Sequence, residues 1–172
     1  MTTEIKSLRD LYVGHLKDIY SAENQITKAL PKVIKKVTSP ELKKALENHL
    51  NETMKQIDRL DQIFESLDAS PRGKKCIGME GVLEESKEAM SEKMSSPDLM
   101  DAALVGGCQK VEHYEISAYG TVRAFAVLLG EDEAVDLLSQ TLEEEKAADA
   151  KLTELGVNMI NPEAVDADRE RM

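Results

Sequence analysis

The sequence predicts an all-α protein: a four-helix bundle with a crossover connection that contains an additional shorter helix. Three observations lead there. Apolar residues recur at helical spacing in four long segments. Turn signals divide those segments into two tight hairpins joined by a long link. Each long segment also sets a carboxylate on or beside its apolar face, at Glu23, Glu52, Glu112 with Glu115, and Glu144 with Glu145. An unpaired buried carboxylate must protonate, find a cation or bind metal. Four helices that each turn an acid inward follow the plan of a metal-binding bundle.

Helix A is expected over about Thr3–Val37, with Leu8, Leu11, His15, Ile19, Glu23, Ile26, Leu30, Ile34 and Val37 along one face. His15, two turns before Glu23, reads as a core or lid histidine. Pro31 removes one backbone donor and predicts a kink beyond Glu23. Ser39-Pro40-Glu41 then supplies an N-cap, a first helical residue and an early acid. Helix B follows to about Leu67 through Leu42, Leu46, Leu50, Thr53, Ile57, Leu60 and Phe64. His49, Glu52 and Gln56 lie on the adjoining edge of that stripe.

Asp68-Ala69-Ser70-Pro71-Arg72-Gly73 breaks the pattern, and Cys76–Met94 reads as the shorter crossover helix. Ser96-Pro97-Asp98 starts helix C, which reaches Leu129 before Gly130 as its C-terminal cap. Leu104, Cys108, Val111, Tyr119, Val122 and Ala126 form its core stripe. Glu112 and Glu115, three apart, fall on the same face. Helix D is expected over Asp132–Leu155, ending before Gly156. The organisation is therefore a bundle over residues 1–160 and a polar C-terminal tail over 161–172. The link between helices B and C is too long for neighbouring antiparallel helices, so B and C should run parallel. The two hairpins also resemble each other at a constant offset, with Glu23 falling on Glu115 and Glu52 on Glu144.

The 172 residues suit one domain with a real core. Acidic residues number 33 against 22 basic, a net charge of -11, which argues against nucleic acid and against anionic membranes as partners. No apolar run reaches the roughly 18 residues of a membrane span. Met1–Lys17 lacks the apolar core of a signal peptide. Cys76 and Cys108 form no framework, which fits a reducing, cytoplasmic location. Cys108 sits in the core stripe and is expected to be inert, whereas Cys76, near a loose start, is the more reactive candidate. No nucleophilic triad or phosphate-cradling glycine loop stands out. Gly106-Gly107 inside helix C permits close approach of another helix, at a dimer contact for example.

A pair of divalent ions needs several anionic oxygens and a nitrogen or two, brought in from different directions. In di-iron bundles two helices each give one Glu and two give a Glu-x-x-His pair. Glu23 is the candidate from helix A, Glu52 from B, Glu112 or Glu115 from C, and Glu144 or Glu145 from D. The positions three beyond Glu52, Glu144 and Glu145 hold Lys55, Ala147 and Ala148 rather than His. Nitrogen must come from His49, three before Glu52, or from His113. Tyr20, Tyr114 and Tyr119 are candidates to hydrogen-bond ligands, with ordinary core packing as the alternative.

The stretches Asp18-Ile19-Tyr20-Ser21-Ala22-Glu23-Asn24-Gln25, His49-Leu50-Asn51-Glu52-Thr53, Cys76-Ile77-Gly78-Met79-Glu80-Gly81, Lys110-Val111-Glu112-His113-Tyr114-Glu115 and Leu142-Glu143-Glu144-Glu145-Lys146 resemble the bacterial YciE/YciF-type ferritin-like stress proteins. The Glu112-x-x-Glu115 pair is also similar to helix C of rubrerythrins. The resemblance spans nearly the whole chain. It implies the ferritin-like fold, a cytoplasmic location, a homodimer and a di-iron centre of ill-defined activity.

The expected function is metal binding, with iron first and manganese, zinc or calcium as alternatives. The expected chemistry is ferroxidase or peroxide handling in a stress response, with Fe(II) and oxygen or peroxide as substrates. The competing reading is a non-catalytic structural or interaction bundle whose acidic core is empty or holds calcium or magnesium. Leu99, Leu104, Val127, Leu128 and Leu137 are more apolar positions than one four-helix seam can use, which adds to the expectation of a homodimer.

Overall fold

The computed structural model describes residues 4–169, and among them every regular element is helical. Helix α1 spans Leu8–Lys36, α2 Pro40–Ser66, α3 Ile77–Ser91, α4 Pro97–Leu129 and α5 Asp132–Leu155. A π-helical turn, Gly156–Ile160, then leads into α6, Asn161–Arg169. The expected start at Thr3 lies outside the described residues. Helix α1 begins only at Leu8 because Ser7, in an extended conformation, accepts a hydrogen bond from the Asp10 amide at 3.0 Å. Pro31 lies within α1, which continues through it to Lys36.

The caps read from the sequence are present. Ser39 accepts from the Leu42 amide and Ser96 from the Leu99 amide, each followed by proline. Gly130 ends α4 at φ 71°, the left-handed geometry that glycine adopts at least cost. Gly156 follows α5 directly, where the sequence sets the end of that helix. It stays right-handed, and a Cβ there would stand 3.2 Å from Val105 Cγ1. Its missing side chain lets the chain press against α4 and carry on into the π turn. Residues 161–169, expected as part of a polar tail, are helical and pack on α4 with Ala164 buried. Residues 170–172 lie outside the described residues.

Helix α1 packs against α2 and α4, and α5 packs against the same two. The pairs Arg9–Glu131, Asp18–Tyr114 and Thr38–Asp101 make α1 and α4 antiparallel. Since the α1–α2 hairpin is antiparallel as well, α2 and α4 run parallel across the diagonal, and the crossover plan holds. Helix α3 lies on α4 and α1. A Cβ on Gly107 would stand 3.0 Å from Ser86 Oγ, so this glycine admits α3 within the same chain. Asp101 of α4 fastens the α1–α2 turn, accepting from the amides of Thr38 and Ser39 and from the Thr38 hydroxyl at 2.7–3.2 Å.

The apolar core is split in two. One cluster gathers Ile26, Leu30, Leu46, Leu104, Val111 and Leu152 with their neighbours. The other gathers Leu16, Ile19, Leu60, Phe64, Val122 and Leu138 with theirs. Between them each long helix carries polar side chains inward. In α1 the buried face opens with Tyr12 and Leu16 rather than with Leu8, Leu11 and His15. His15 is half-buried, its ring edge-on to Phe125. In α2 the inward row is Leu46, His49, Thr53, Gln56 and Leu60, so His49 and Gln56 stand in the seam and not beside it. Leu104 is used in the core, whereas Val127 and Leu128 are exposed. No helix among the described residues is long and apolar enough to cross a membrane.

Candidate metal centre

The polar layer takes Glu23 from α1, His49 and Gln56 from α2, Glu112 and Glu115 from α4, and Glu145 from α5. Each of the four glutamates is at most 2 % exposed. Helical spacing explains the placement. Glu23 falls between Ile19 and Ile26, Glu115 between Val111 and Tyr119, and Glu145 between Leu142 and Leu152, all core residues. Ligand atoms of His49, Glu112, Glu115 and Glu145 lie within 4.8 Å of one another. Donors around one ion at about 2.1 Å stand no more than about 4.2 Å apart, so a small inward movement would close this set on a cation.

Two neighbours hold individual carboxylates. The Tyr119 hydroxyl donates to Glu23 Oε1, and Gln56 Nε2 donates to Glu145 Oε1. The opposite oxygens, Glu23 Oε2 and Glu145 Oε2, have no partner. Glu112 Oε2 and both oxygens of Glu115 are likewise buried and unpartnered. His49 Nε2 comes within 3.3 Å of Glu112 Oε1, yet neither ring nitrogen makes a hydrogen bond. Among the described residues no Lys or Arg forms an ion pair with any of the four inward glutamates.

Burial pushes the Glu23 carboxyl up to about 8, and repulsion from Glu145 adds to it. Burial, and then the nearby Glu145 and Glu23 charges, raises Glu112 and Glu115 well above the ordinary carboxyl range, with Asp149 adding to Glu112 and Glu112 to Glu115. A divalent cation would relieve all of this at once. An oxygen-rich set with one imidazole nitrogen suits hard to borderline divalent ions.

The remaining sequence candidates lie outside this cluster. Glu144 points away from it and is held by Arg59 through two hydrogen bonds of 2.6 and 2.7 Å. Partial burial opposes its ionisation, but the bonds from Arg59 and Gln56 outweigh that and keep its carboxyl below the ordinary value. The Glu52 side chain is 42 % exposed, with Oε2 at 4.0 Å from His49 Nδ1. His113 is exposed on the outer face of α4 and faces Asp149 at 3.2 Å. Of the tyrosines, only Tyr119 bonds a layer carboxylate. Tyr114 meets Cys76 and Asp18, and Tyr20 packs on Phe64.

Cys76 corrects the expectation of a reactive thiol. It is fully buried, caps α3 by accepting from the Met79 amide, and lies 3.0 Å from the Tyr114 hydroxyl. Burial pushes the Cys108 thiol up to about 12, with Glu112 adding to it.

Sequence reasoning did not assign roles to Gln56 and Arg59. Both lie on the His49 side of α2, one turn apart, and that shared face was the available signal. Two openings reach His49 and Glu112. A groove of about 840 Å³ runs between α2 and α5, with Leu46, Ala148 and Leu152 on its walls and Glu52 beside His49. A smaller cavity of about 190 Å³ under α3 passes Leu83, Met90 and Cys108.

The profile of the domain of unknown function DUF892 matches residues 7–165. The chain is 44 % identical to protein YciF of Escherichia coli K12 over 161 residues, covering 93 % of this chain and 96 % of that one. The crystal structure of that E. coli stress protein superposes with a TM-score of 0.86, covering 91 % of this chain and 99 % of the other. YcfI of Rhodopseudomonas palustris, for which a structural role has been proposed, is 45 % identical. Its TM-score is 0.84, with 89 % of this chain and 97 % of that chain covered. A Xanthomonas campestris protein at 22 % identity and TM-score 0.74, covering 96 % of this chain and 99 % of that one, shares the fold.

Proposed function

The chain belongs to the DUF892 family, and from the geometry of its central layer we propose that it binds a carboxylate-bridged pair of divalent ions. Iron is the first choice, with oxidase-like handling of Fe(II) by oxygen or peroxide in a stress response. The observation that carries this reading is the set of buried oxygens without a donor on Glu23, Glu112, Glu115 and Glu145, the last three converging with His49, with no Lys or Arg among the described residues paired to them. Leaving such groups unsatisfied is costly, and a bound cation is the economical reason to keep them.

Bound iron supplies one-electron chemistry toward oxygen or peroxide. The protein does the rest. Glu115, whose oxygens meet no donor from another residue type, would help hold the metal. Tyr119 and Gln56 fix the outer oxygens of Glu23 and Glu145, so those carboxylates are oriented before any ion arrives. Arg59 draws Glu144 aside and keeps the layer at four carboxylates. The two apolar clusters exclude water above and below, while the α2–α5 groove admits small reactants to the His49–Glu112 side. The stress designation of the E. coli relative supports the physiological setting, and exposed Val127 and Leu128 support a homodimer.

One observation favours a second reading. Lys55 and Ala148 stand where Glu-x-x-His would place histidines, so the layer has one nitrogen donor. That composition also suits a redox-inactive calcium or magnesium ion, and the R. palustris relative is described as a structural protein, with no ion named.

The deciding experiment joins metal analysis of protein purified without chelator to melting curves with Fe(II), Mn(II), Zn(II) and Ca(II). A saturable rise in Tm with at least one ion is expected, together with iron-dependent consumption of oxygen or peroxide. A shift with calcium alone and no such consumption selects the structural reading. No shift with any ion refutes both metal readings.

A further inference from the structure

We propose that Glu52 is a positioning residue and not a ligand: it accepts a hydrogen bond from Nδ1 of His49 and so turns the Nε2 lone pair toward the ion held by the central layer. The inference rests on the metal-binding reading above.

His49 is 6 % exposed and neither of its ring nitrogens has a hydrogen-bond partner. Nε2 lies on the cluster side, 3.3 Å from Glu112 Oε1, and Nδ1 lies on the groove side, 4.0 Å from Glu52 Oε2. A neutral imidazole carries one proton. Placed on Nε2, that proton would point into the cluster and block ligation. Placed on Nδ1, it leaves Nε2 free to bind. The choice is set by the acceptor that Nδ1 meets, and the fold puts Glu52 there. Metal-binding histidines commonly donate their second N–H to a carboxylate, which fixes tautomer and ring orientation.

The order of the pair along α2 supports this division of labour. Di-iron bundles use Glu-x-x-His, with both side chains reaching the ions. This chain has His49-x-x-Glu52. The reversal brings the imidazole to the seam beside Thr53 and Gln56 and leaves the carboxylate at the groove wall, 42 % exposed. A half-exposed side chain can rotate to close 4.0 Å to a hydrogen bond of about 2.8 Å without moving the helix.

The test is a double-mutant cycle on the full chain, with Co(II) as probe. Affinity is read by calorimetry, and nitrogen ligation by the visible Co(II) bands. Glu52→Ala should weaken Co(II) binding about 10–100-fold and shift the bands toward those of His49→Ala. Glu52→Gln, which keeps an acceptor oxygen, should lose less. Adding Glu52→Ala to His49→Ala should change affinity by less than about twofold, because the partner it acts through is gone. Melting in chelator checks that each variant folds. Parent-like binding by Glu52→Ala, or losses that add in full, would overturn the inference and leave the metal-binding reading standing. A parent that binds no Co(II), Mn(II) or Fe(II) would overturn both.

Discussion

Replacing Glu115 with methionine should move stability in opposite directions with and without metal. Glu115 is 2 % exposed, no N–H or hydroxyl donor from another residue type reaches its oxygens, and Glu145, Glu23 and Glu112 surround it. In chelator, Glu115→Met removes a buried unsatisfied polar group, worth about 1–3 kcal/mol, and fills the space with a flexible side chain of similar size. For a chain of this length each kcal/mol moves Tm by roughly 2–4 °C, so the variant should melt about 2–12 °C above the parent. With Mn(II) at a hundred times the parent's Kd, the parent gains about 2.7 kcal/mol by mass action. If Glu115 holds the ion, the variant should gain little, so the two curves approach or cross. Glu115→Gln separates the contributions, because the amide remains polar and confers no such gain in chelator while it still weakens binding. Scanning calorimetry in chelator and in excess Mn(II) reads all of this. A variant that melts below the parent in chelator, or that keeps the parent's full Mn(II) shift, would refute the claim that Glu115 is retained for a cation.

Asp101→Ala leaves the Thr38 and Ser39 donors of the α1–α2 turn without their acceptor and should cost about 3–5 kcal/mol; thermal melting should show this, with the Mn(II) shift unchanged. The metal-free protein should lose stability as pH rises. Glu23 is held at about 8 against an ordinary 4.5, so its contribution is complete below about 4.5 and is lost as pH climbs through about 8. Glu112 and Glu115 are displaced in the same direction. Urea midpoints in chelator from pH 5.5 to 8.5 should therefore fall, and a rising series would contradict the assignment. Metal binding should strengthen over that same range and release protons, which calorimetry in buffers of different ionisation enthalpy can count. Neither thiol should react promptly with Ellman's reagent in the native protein, since Cys76 is fully enclosed and Cys108 is 8 % exposed with its thiol pushed up to about 12; both should react in denaturant, and fast labelling of either would show the packing around it to be wrong.

Much of the fold was legible because its signals are local. The serine–proline starts at Ser39 and Ser96, the glycine stop at Gly130 and the length of the B–C link are each read from a few neighbouring residues, and together they leave one topology. The inward positions of Glu23, Glu112 and Glu115 were legible for a related reason, since each interrupts an otherwise apolar stripe. Helix α2 was harder. Leu50 and Ile57 suggest one seam, while the structure buries His49 and Gln56, because tertiary contact with α5 rotates the helix by a fraction of a turn from the face that apolar residues alone would select. Choosing between Glu144 and Glu145 had the same obstacle. Consecutive glutamates look alike until Arg59, far away in sequence, takes one of them. The helical end at 161–169 was missed because its few apolar anchors, such as Ala164, lie among charges, and the π turn before it has no composition of its own. The burial of Cys76 is not legible in the sequence, because a loop flank suggests exposure and the Tyr114 ring that meets its thiol lies far away along the chain.

The division of the apolar interior into two clusters has a consequence for how the chain can be taken apart. Each cluster draws on α1, α2, α4 and α5 together. The line of weakest cohesion therefore runs across the rods, at the level of the glutamates, and not between the two hairpins. Neither hairpin owns a complete interior, so cutting the gene in the crossover should yield two fragments that fold only in each other's presence. Loosening from one end, by contrast, can stop at the middle, with the far cluster still assembled. An ion bound at that level would then act as a rivet between two half-barrels of packing, and its removal would show first as amide exchange spreading from one end toward the waist.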